Sequence, residues 1–327
     1  MKRWLVLGLV ALISLLAIAS LLAGTIWLSP DQTLHALVDP TPDLAQIVVT
    51  QVRLPRLLLA LMIGGILGLA GAVLQGLLRN PLAEPGLLGV GAGASLGAVI
   101  SLYYGFASTF ALMTPLFAMA GGFATILIAL ALSRSGGNLS LILAGVAVST
   151  VAAAGISLAL NLAPNPFAAY EIMTWLMGSL TDRNWDHFWL AGPFVLLGAA
   201  LLLATMRDLD ALSLGERQAE SLGINVRRTR LLALFGTALG VGAATAVTGS
   251  IGFVGLIAPH LVRPLVGHRP GATLIPAALV GAAIVLAADI ATRSLRFGPD
   301  IKLGVCISMV GAPFFLWLVL HVRKTAP

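Results

Sequence analysis

Charge is scarce in this chain. Asp, Glu, Lys and Arg make up 10% of its 327 residues, hydrophobic residues make up 58%, and the mean hydropathy is +0.99. A water-facing domain carries about 25% charged residues, so these side chains cannot cover a solvated surface, and a soluble globular fold is excluded. The single cysteine, Cys306, lies inside an apolar run, which rules out a disulfide framework and a thiolate metal site. The five histidines are scattered without metal-ligand spacing. None of the three lysines stands in a GK[ST] string, so the chain has no P-loop with which to hydrolyse ATP. The net charge of +6 comes from loop arginines and carries no nucleic-acid signal.

Long apolar runs fill the space that charge leaves. They are continuous and do not alternate with polar residues, which predicts spanning helices and not a barrel. The expected fold is an all-α integral membrane protein. Its ten expected spans are Trp4–Leu28, Leu57–Leu78, a short one from near Gly93, Ala111–Leu132, Leu139–Leu162, Phe188–Met206, Leu231–Val247, Ile251–Val266, Ala272–Ile290 and Leu303–Leu320. The first is too long for the 7–15-residue core of a signal peptide. Residues Ser29–Gln51 read as a polar connection, and Arg79–Gly86, with two prolines, as a break between helices. Glu171–Leu180 reads as an amphipathic piece too short to span. Gly64, Gly68, Gly71 and Gly76 form a small face in the second span for close helix packing.

Placing the N-terminus inside puts 13 Lys and Arg residues in inner loops, among them Arg79, Arg134, Arg263 and Arg269. Six lie outside: Arg53, Arg56, Arg183, Arg293, Arg296 and Lys302. The positive-inside rule then sets both termini in the cytoplasm. Ten spans divide into two sets of five, and an odd count inverts the second set, as in transporters built from inverted repeats. The chain is expected to be one domain, 1–327: six helices over 1–206, a polar connection over 207–230, and four helices over 231–327.

Residues 207–230 stand apart: nine of these 24 are charged. A short helix is expected from Ser213 to Ser221, with Ser213 as N-cap, Glu216 completing a capping box and Gly223 as the stop. It reads as a polar hook offered to a soluble partner. On the other side, Arg53-Leu-Pro-Arg56 and Arg293 are expected as exposed, unpaired charge that docks an acidic surface, with Asp289 able to pair with Arg293 one turn on. Otherwise ionisable groups within the spans are few, and Glu84 sits in the break. An ion-coupled carrier keeps carboxylates, histidines or lysines near the midplane, so their scarcity points to energy arriving from a partner. Gly93-Ala-Ser95-Leu-Gly97 fits the G-x-S-x-G string, but a nucleophile elbow needs a strand before it, and none is expected. Gly89-Val-Gly91-Ala-Gly93 lacks the βαβ unit of a dinucleotide site.

These residues together resemble one family. The strings are Arg53-Leu-Pro-Arg56, Gln75-Gly-Leu-Leu-Arg-Asn80-Pro-Leu-Ala-Glu84-Pro-Gly-Leu-Leu-Gly89, Leu143-Ala-Gly-Val146, Trp175-Leu-Met-Gly178-Ser, Leu214-Gly215-Glu216 with Leu222-Gly223, Gly252-Phe-Val-Gly-Leu-Ile-Ala-Pro259-His260 and Gly311-Ala-Pro313. They resemble the permeases of binding-protein-dependent ABC importers for iron(III)-siderophores, haem and cobalamin. The resemblance implies ten transmembrane helices per subunit and a homodimer in the bacterial inner membrane lipid. It also implies two ATP-binding cassette ATPase subunits on the cytoplasmic face and a substrate-binding protein outside. No cofactor would be bound by this chain, and ATP and Mg would sit on the partner ATPase. By the same resemblance Leu212, Ser213, Leu214, Gly215, Glu216, Arg217, Ala219, Leu222 and Gly223 would meet the ATPase. Arg53, Arg56 and Arg293 would meet the binding protein, and Asn138 and Leu139, behind Gly136-Gly137, would form the cytoplasmic gate.

Overall fold

The computed structural model describes residues 2–24, 27–39, 43–110, 112–133, 137–294 and 301–325. The expectations for Arg134, Gly136 and Arg296 fall outside them. Among the described residues there is no strand. The helices are α1 (Lys2–Leu22), α2 (Pro30–Val38), α3 (Leu44–Ile47), α4 (Leu54–Leu78), α5 (Val90–Tyr103), α6 (Met113–Leu132), α7 (Gly137–Asn161) and α8 (Pro166–Leu176). The chain continues with α9 (Trp185–Ala204), α10 (Met206–Leu212), α11 (Glu216–Ser221), α12 (Val226–Thr248), α13 (Val254–Val262), α14 (Pro270–Ser294) and α15 (Leu303–Thr325).

Among the described residues, eight stretches are long and apolar enough to cross a membrane, and α5 is a shorter apolar helix. The chain is therefore an all-helical membrane protein. The eighth expected span is corrected: α13 has nine residues, which at 1.5 Å per residue cover only about 14 Å, half of a hydrocarbon core. It starts inside the bundle because Gly249 (φ +74) stops α12 and residues 249–253 run irregularly before Val254. Its counterpart α5 begins the same way. Arg79 (φ 49) ends α4, the Asn80 carboxamide oxygen accepts the Leu82 N–H at 2.9 Å, and Gly89 (φ +76) opens α5.

That parallel extends through both sets. α4 and α12 are the two central helices, with 78% of the apolar window of each buried, against 6% for α1. Each packs against the fourth helix of the other set: α4 on α14, and α12 on α6. Within each set the short helix lies on that fourth helix, α5 on α6 and α13 on α14. Two inverted sets that exchange partners account for this pattern. Glycine makes the α4–α14 contact possible. A Cβ on Gly64 or Gly68 would collide with the carbonyl of Gly281 or Ala277, and one on Gly281 would collide with the carbonyl of Gly64. Helices in lipid gain stability from such backbone approach.

Three further expectations change. The connection before the second span is mostly helical. Ser29 and Gln32 form a capping box at α2, and a single helical run extends from Leu44 to Leu78 through a π-helical turn at Val48–Arg53. The amphipathic piece is α8, displaced toward the N-terminus because the Asn165 side chain caps it and Pro166 opens it. The polar connection after the sixth span is not a loop with one helix. It holds α10 and α11, and α12 starts at Val226, so Arg227, Arg228 and Arg230 are helical.

Gly64→Val should overpack the seam and cost about 1–3 kcal/mol, read as a lower unfolding midpoint in detergent. Gly8→Val, where a Cβ meets nothing within 4 Å, should leave the midpoint unchanged.

Candidate functional site

Polar chemistry gathers at the two ends of α4, α12 and α14. At the 206–230 end, α10 and α11 form a bent pair. Leu214 N–H and Gly215 N–H close onto Ala211 and Leu212 carbonyls, and Gly215 (φ +115) makes the corner. The expected capping box is not formed: Gly215 is the N-cap of α11, and the Ser213 hydroxyl instead donates to the Asp210 carbonyl at 2.6 Å. The stop at Gly223 is present. Its N–H reaches the Glu220 carbonyl at 2.9 Å and the Ile224 N–H reaches Ala219 at 3.0 Å, a Schellman closure with glycine in the left-handed position.

This pair has two faces. Leu209, Leu212 and Ala219 are buried against the bundle, whereas Leu214 and Leu222 are each 63% exposed and Arg217 is exposed. Carboxylates fasten the inner face. Asp208 accepts the Thr229 hydroxyl at 2.6 Å at the start of α12. Asp210 accepts Arg269 at 2.8 Å and the Gly271 N–H at 2.8 Å, at the N-terminus of α14, where the helix dipole favours an anion. Arg230 lies 3.5 Å from Glu216 and donates to Asn138 at 3.2 Å. Asn138 thus sits beneath α11, while its neighbour Leu139 is 69% exposed.

At the opposite end the three predicted arginines come together, but not as exposed, unpaired charge. Arg53 is 5% exposed and donates to the Leu21 and Leu22 carbonyls at 2.6 and 3.0 Å. Arg293 donates to the carbonyls of Ser20 and Ala23 and to the Ser20 hydroxyl. Both therefore cap the C-terminus of α1, whose last carbonyls lack helical partners. Asp289, fully buried, holds Arg56 at 2.8 Å and Arg293 at 3.0 Å. A positive charge in an apolar bundle must be paired, and the sequence hides this solution because Arg56 and Asp289 are 233 residues apart. Arg53, Arg56, Arg293 and Lys302 line one cleft of about 240 Å³ at this end, and among the described residues no carboxylate lines it; Asp289 stands behind Arg56 and Arg293.

Between the ends the bundle is sparsely polar. Gln75 on α4 accepts Arg263 at 2.6 Å and faces the Gly255 and Leu256 carbonyls. Glu84, in the break before α5, accepts the Phe253 N–H, where Phe253 adopts φ 65 before α13. Ser95 is 5% exposed within α5, with no strand before it, so it forms no nucleophile elbow. Among the described residues no group of three His, Cys, Asp or Glu could hold a metal ion.

Residues 12–321 match the FecCD transport family. The chain belongs to that family. It is 35% identical to the Fe(3+)-citrate import system permease protein YfmE of Bacillus subtilis (strain 168), over 98% of this chain and 96% of the relative. It is 39% identical to the hemin transport system permease protein HmuU of Yersinia pestis, over 84% and 83%. It is 36% identical to the vitamin B12 import system permease protein BtuC of Salmonella typhi, over 98% and 96%. A solved inward-facing conformation of a metal-chelate type ABC transporter superposes with a TM-score of 0.87 at 35% identity, over 98% of this chain and 99% of that one. This FecCD-family chain is an ABC-importer permease, a transport subunit embedded in a membrane.

Sequence reasoning found the arginines and the polar hook but missed the groups that fasten them. Asp208, Asp210, Thr229 and Gln75 contact residues at least 21 positions away, beyond any helical periodicity.

Asp289→Asn should leave two arginines without their counter-charge and cost about 3–5 kcal/mol. Asp210→Asn, whose partner Arg269 is 64% exposed, should cost under about 1 kcal/mol for that pair. Denaturant unfolding of the two purified variants measures the difference.

Proposed function

We propose that this chain is the membrane pathway of an importer that takes an iron(III) chelate, a siderophore or haem, from an outer binding protein and releases it into the cytoplasm by alternating access. The observation that carries the reading is the match over residues 12–321 to a family whose compared relatives include an iron-citrate and a hemin permease. Cobalamin is the second reading, favoured by the vitamin B12 permease that matches over 98% of this chain.

In this reading two copies of the chain surround the pathway in the inner membrane, with N- and C-termini cytoplasmic. Two separate ATPase subunits bind ATP and Mg and hydrolyse the nucleotide. They dock on α10 and α11, where Leu214 and Leu222 offer apolar anchors and Arg217 a charged contact, while Leu212 and Ala219 fix the pair to the bundle. Ser213, Gly215, Glu216 and Gly223 shape the corner and its ends. Nucleotide-driven closure of the ATPases would move this pair, and Asn138 and Leu139 would open or close the cytoplasmic gate. The binding protein would dock on the outer cleft. The excess positive charge of Arg53, Arg56 and Arg293 favours an acidic face there, although their guanidinium groups also serve the fold.

Reconstitution of the chain with its ATPase and binding protein in vesicles tests this function. Uptake of a ferric chelate is expected only with ATP and binding protein both present. Uptake that persists without ATP would refute the reading, and uptake of cobalamin alone would select the second. Docking has a separate check. Lys302→Glu should weaken binding-protein affinity several-fold, and wild-type affinity should fall as salt screens the cleft, both read by surface binding at unchanged thermal stability.

A further inference from the structure

Arg230 joins two regions that the proposed function assigns to different tasks. It lies in the second turn of α12, 14 residues beyond Glu216 and 92 beyond Asn138. The same nitrogen, Nη2, lies 3.2 Å from Asn138 Oδ1 and 3.5 Å from Glu216 Oε1. Asn138 is held from its other side as well, since its amide donates to the Leu77 carbonyl at 3.3 Å, at the end of α4. The carboxamide is therefore gripped between α4 and Arg230, with both of its ends used. Next to Arg230, Thr229 ties α12 to α10 through Asp208, so the start of α12 does not drift independently of the bent pair.

The grip on Glu216 is loose. At 3.5 Å it lies at the outer limit of a hydrogen bond, and the Arg230 Nε is buried with no acceptor among the described residues. A buried donor without a partner is costly, so the guanidinium gains if a small movement supplies one. Any displacement of α11 by a docked partner changes the Glu216–Nη2 distance and with it how that nitrogen is shared with Asn138. A planar guanidinium turns as one rigid fork, so its partners cannot change independently.

We infer that Arg230 is a positioning residue that carries displacement of α11 to the start of α7, through the shared contact Glu216–Arg230–Asn138. The inference rests on the coupling and gating roles proposed above, and it names the link between them. Arg230 sets where Asn138, and hence Leu139, stands for each position of α11.

Two measurements test it. In the first, the permease is assembled with its ATPase and binding protein in vesicles, and cargo moved per ATP hydrolysed is compared for wild type, Arg230→Gln, Arg230→Lys and the exposed control Arg228→Gln. Arg230→Gln should assemble and hydrolyse ATP while cargo per ATP falls about tenfold, within the 5–150-fold span of allosteric coupling. Arg230→Lys should recover part of the ratio, and Arg228→Gln should match wild type. An unchanged ratio in Arg230→Gln would overturn the inference, and so would loss of hydrolysis and transport in step. A wild-type complex that hydrolyses ATP and moves nothing would instead refute the importer reading. The second measurement needs no transport. Amide exchange over 138–141 in the permease alone should quicken in Arg230→Gln and in Glu216→Gln, with the centre of α12 unchanged. Equal exchange in all three proteins would also overturn the link.

Discussion

The backbone contact between α4 and α14 is the constraint on which the rest depends. Lipid tails are as apolar as leucine, so burial of apolar surface cannot hold two helices together in a membrane; close packing can. Gly64, Gly68 and Gly281 remove the side chains that would keep the two helices apart. The seam fixes both register and spacing. Arg56, two turns above Gly64 on α4, then meets Asp289, two turns past Gly281 on α14. Toward the other end of α4, Gly71 lies against the Gly255 backbone, and Gln75 faces the same segment of α13 and reaches Arg263. Both polar ends of the bundle are set by what happens between them.

The same geometry bears on the energy source. Among the described residues the buried ionisable side chains are Arg53 and Asp289. Asp289 faces two arginines at 2.8 and 3.0 Å, so its charge is already matched. A carboxylate held in that way does not offer the exchangeable proton or cation site that an ion-coupled carrier needs. Glu84 is engaged by the backbone of Phe253. What the bundle does offer is a fastened lever. α10 and α11 are bound by side-chain contacts to α12 and α14, and Arg230 of α12 extends the contact to Asn138 on α7, while Leu214 and Leu222 beside them face outward. In the proposed function, force applied there would reach α7, α12 and α14.

Much of this was legible in the sequence, and the misses have physical causes. Apolar runs located the long helices to within a few residues, because hydropathy reports the solvent a helix meets. The same signal overextended α13, since residues 251–253 are apolar without being helical. The charged stretch was found, but Ser213 was assigned a cap that Gly215 provides; a glycine at φ +115 reverses the chain where a capping serine would continue it. The arginines at 53, 56 and 293 share one end of the bundle, and the expected Asp289–Arg293 pair is present; the α1 carbonyls and the Arg56–Asp289 contact were not foreseen. Their partners come from α1 and α14, and no local pattern announces a contact across 233 residues. The coupling and gate positions follow from the resemblance alone; what the structure adds is the geometry around them.

The central claim is that this chain is a conduit whose energy arrives from a partner at residues 206–230. The most direct test seals the purified permease alone in vesicles, imposes a proton or sodium gradient, and follows labelled ferric chelate with time. The account predicts no accumulation above the outside concentration under either gradient. Accumulation of chelate against its own gradient, with no ATPase present, would contradict it.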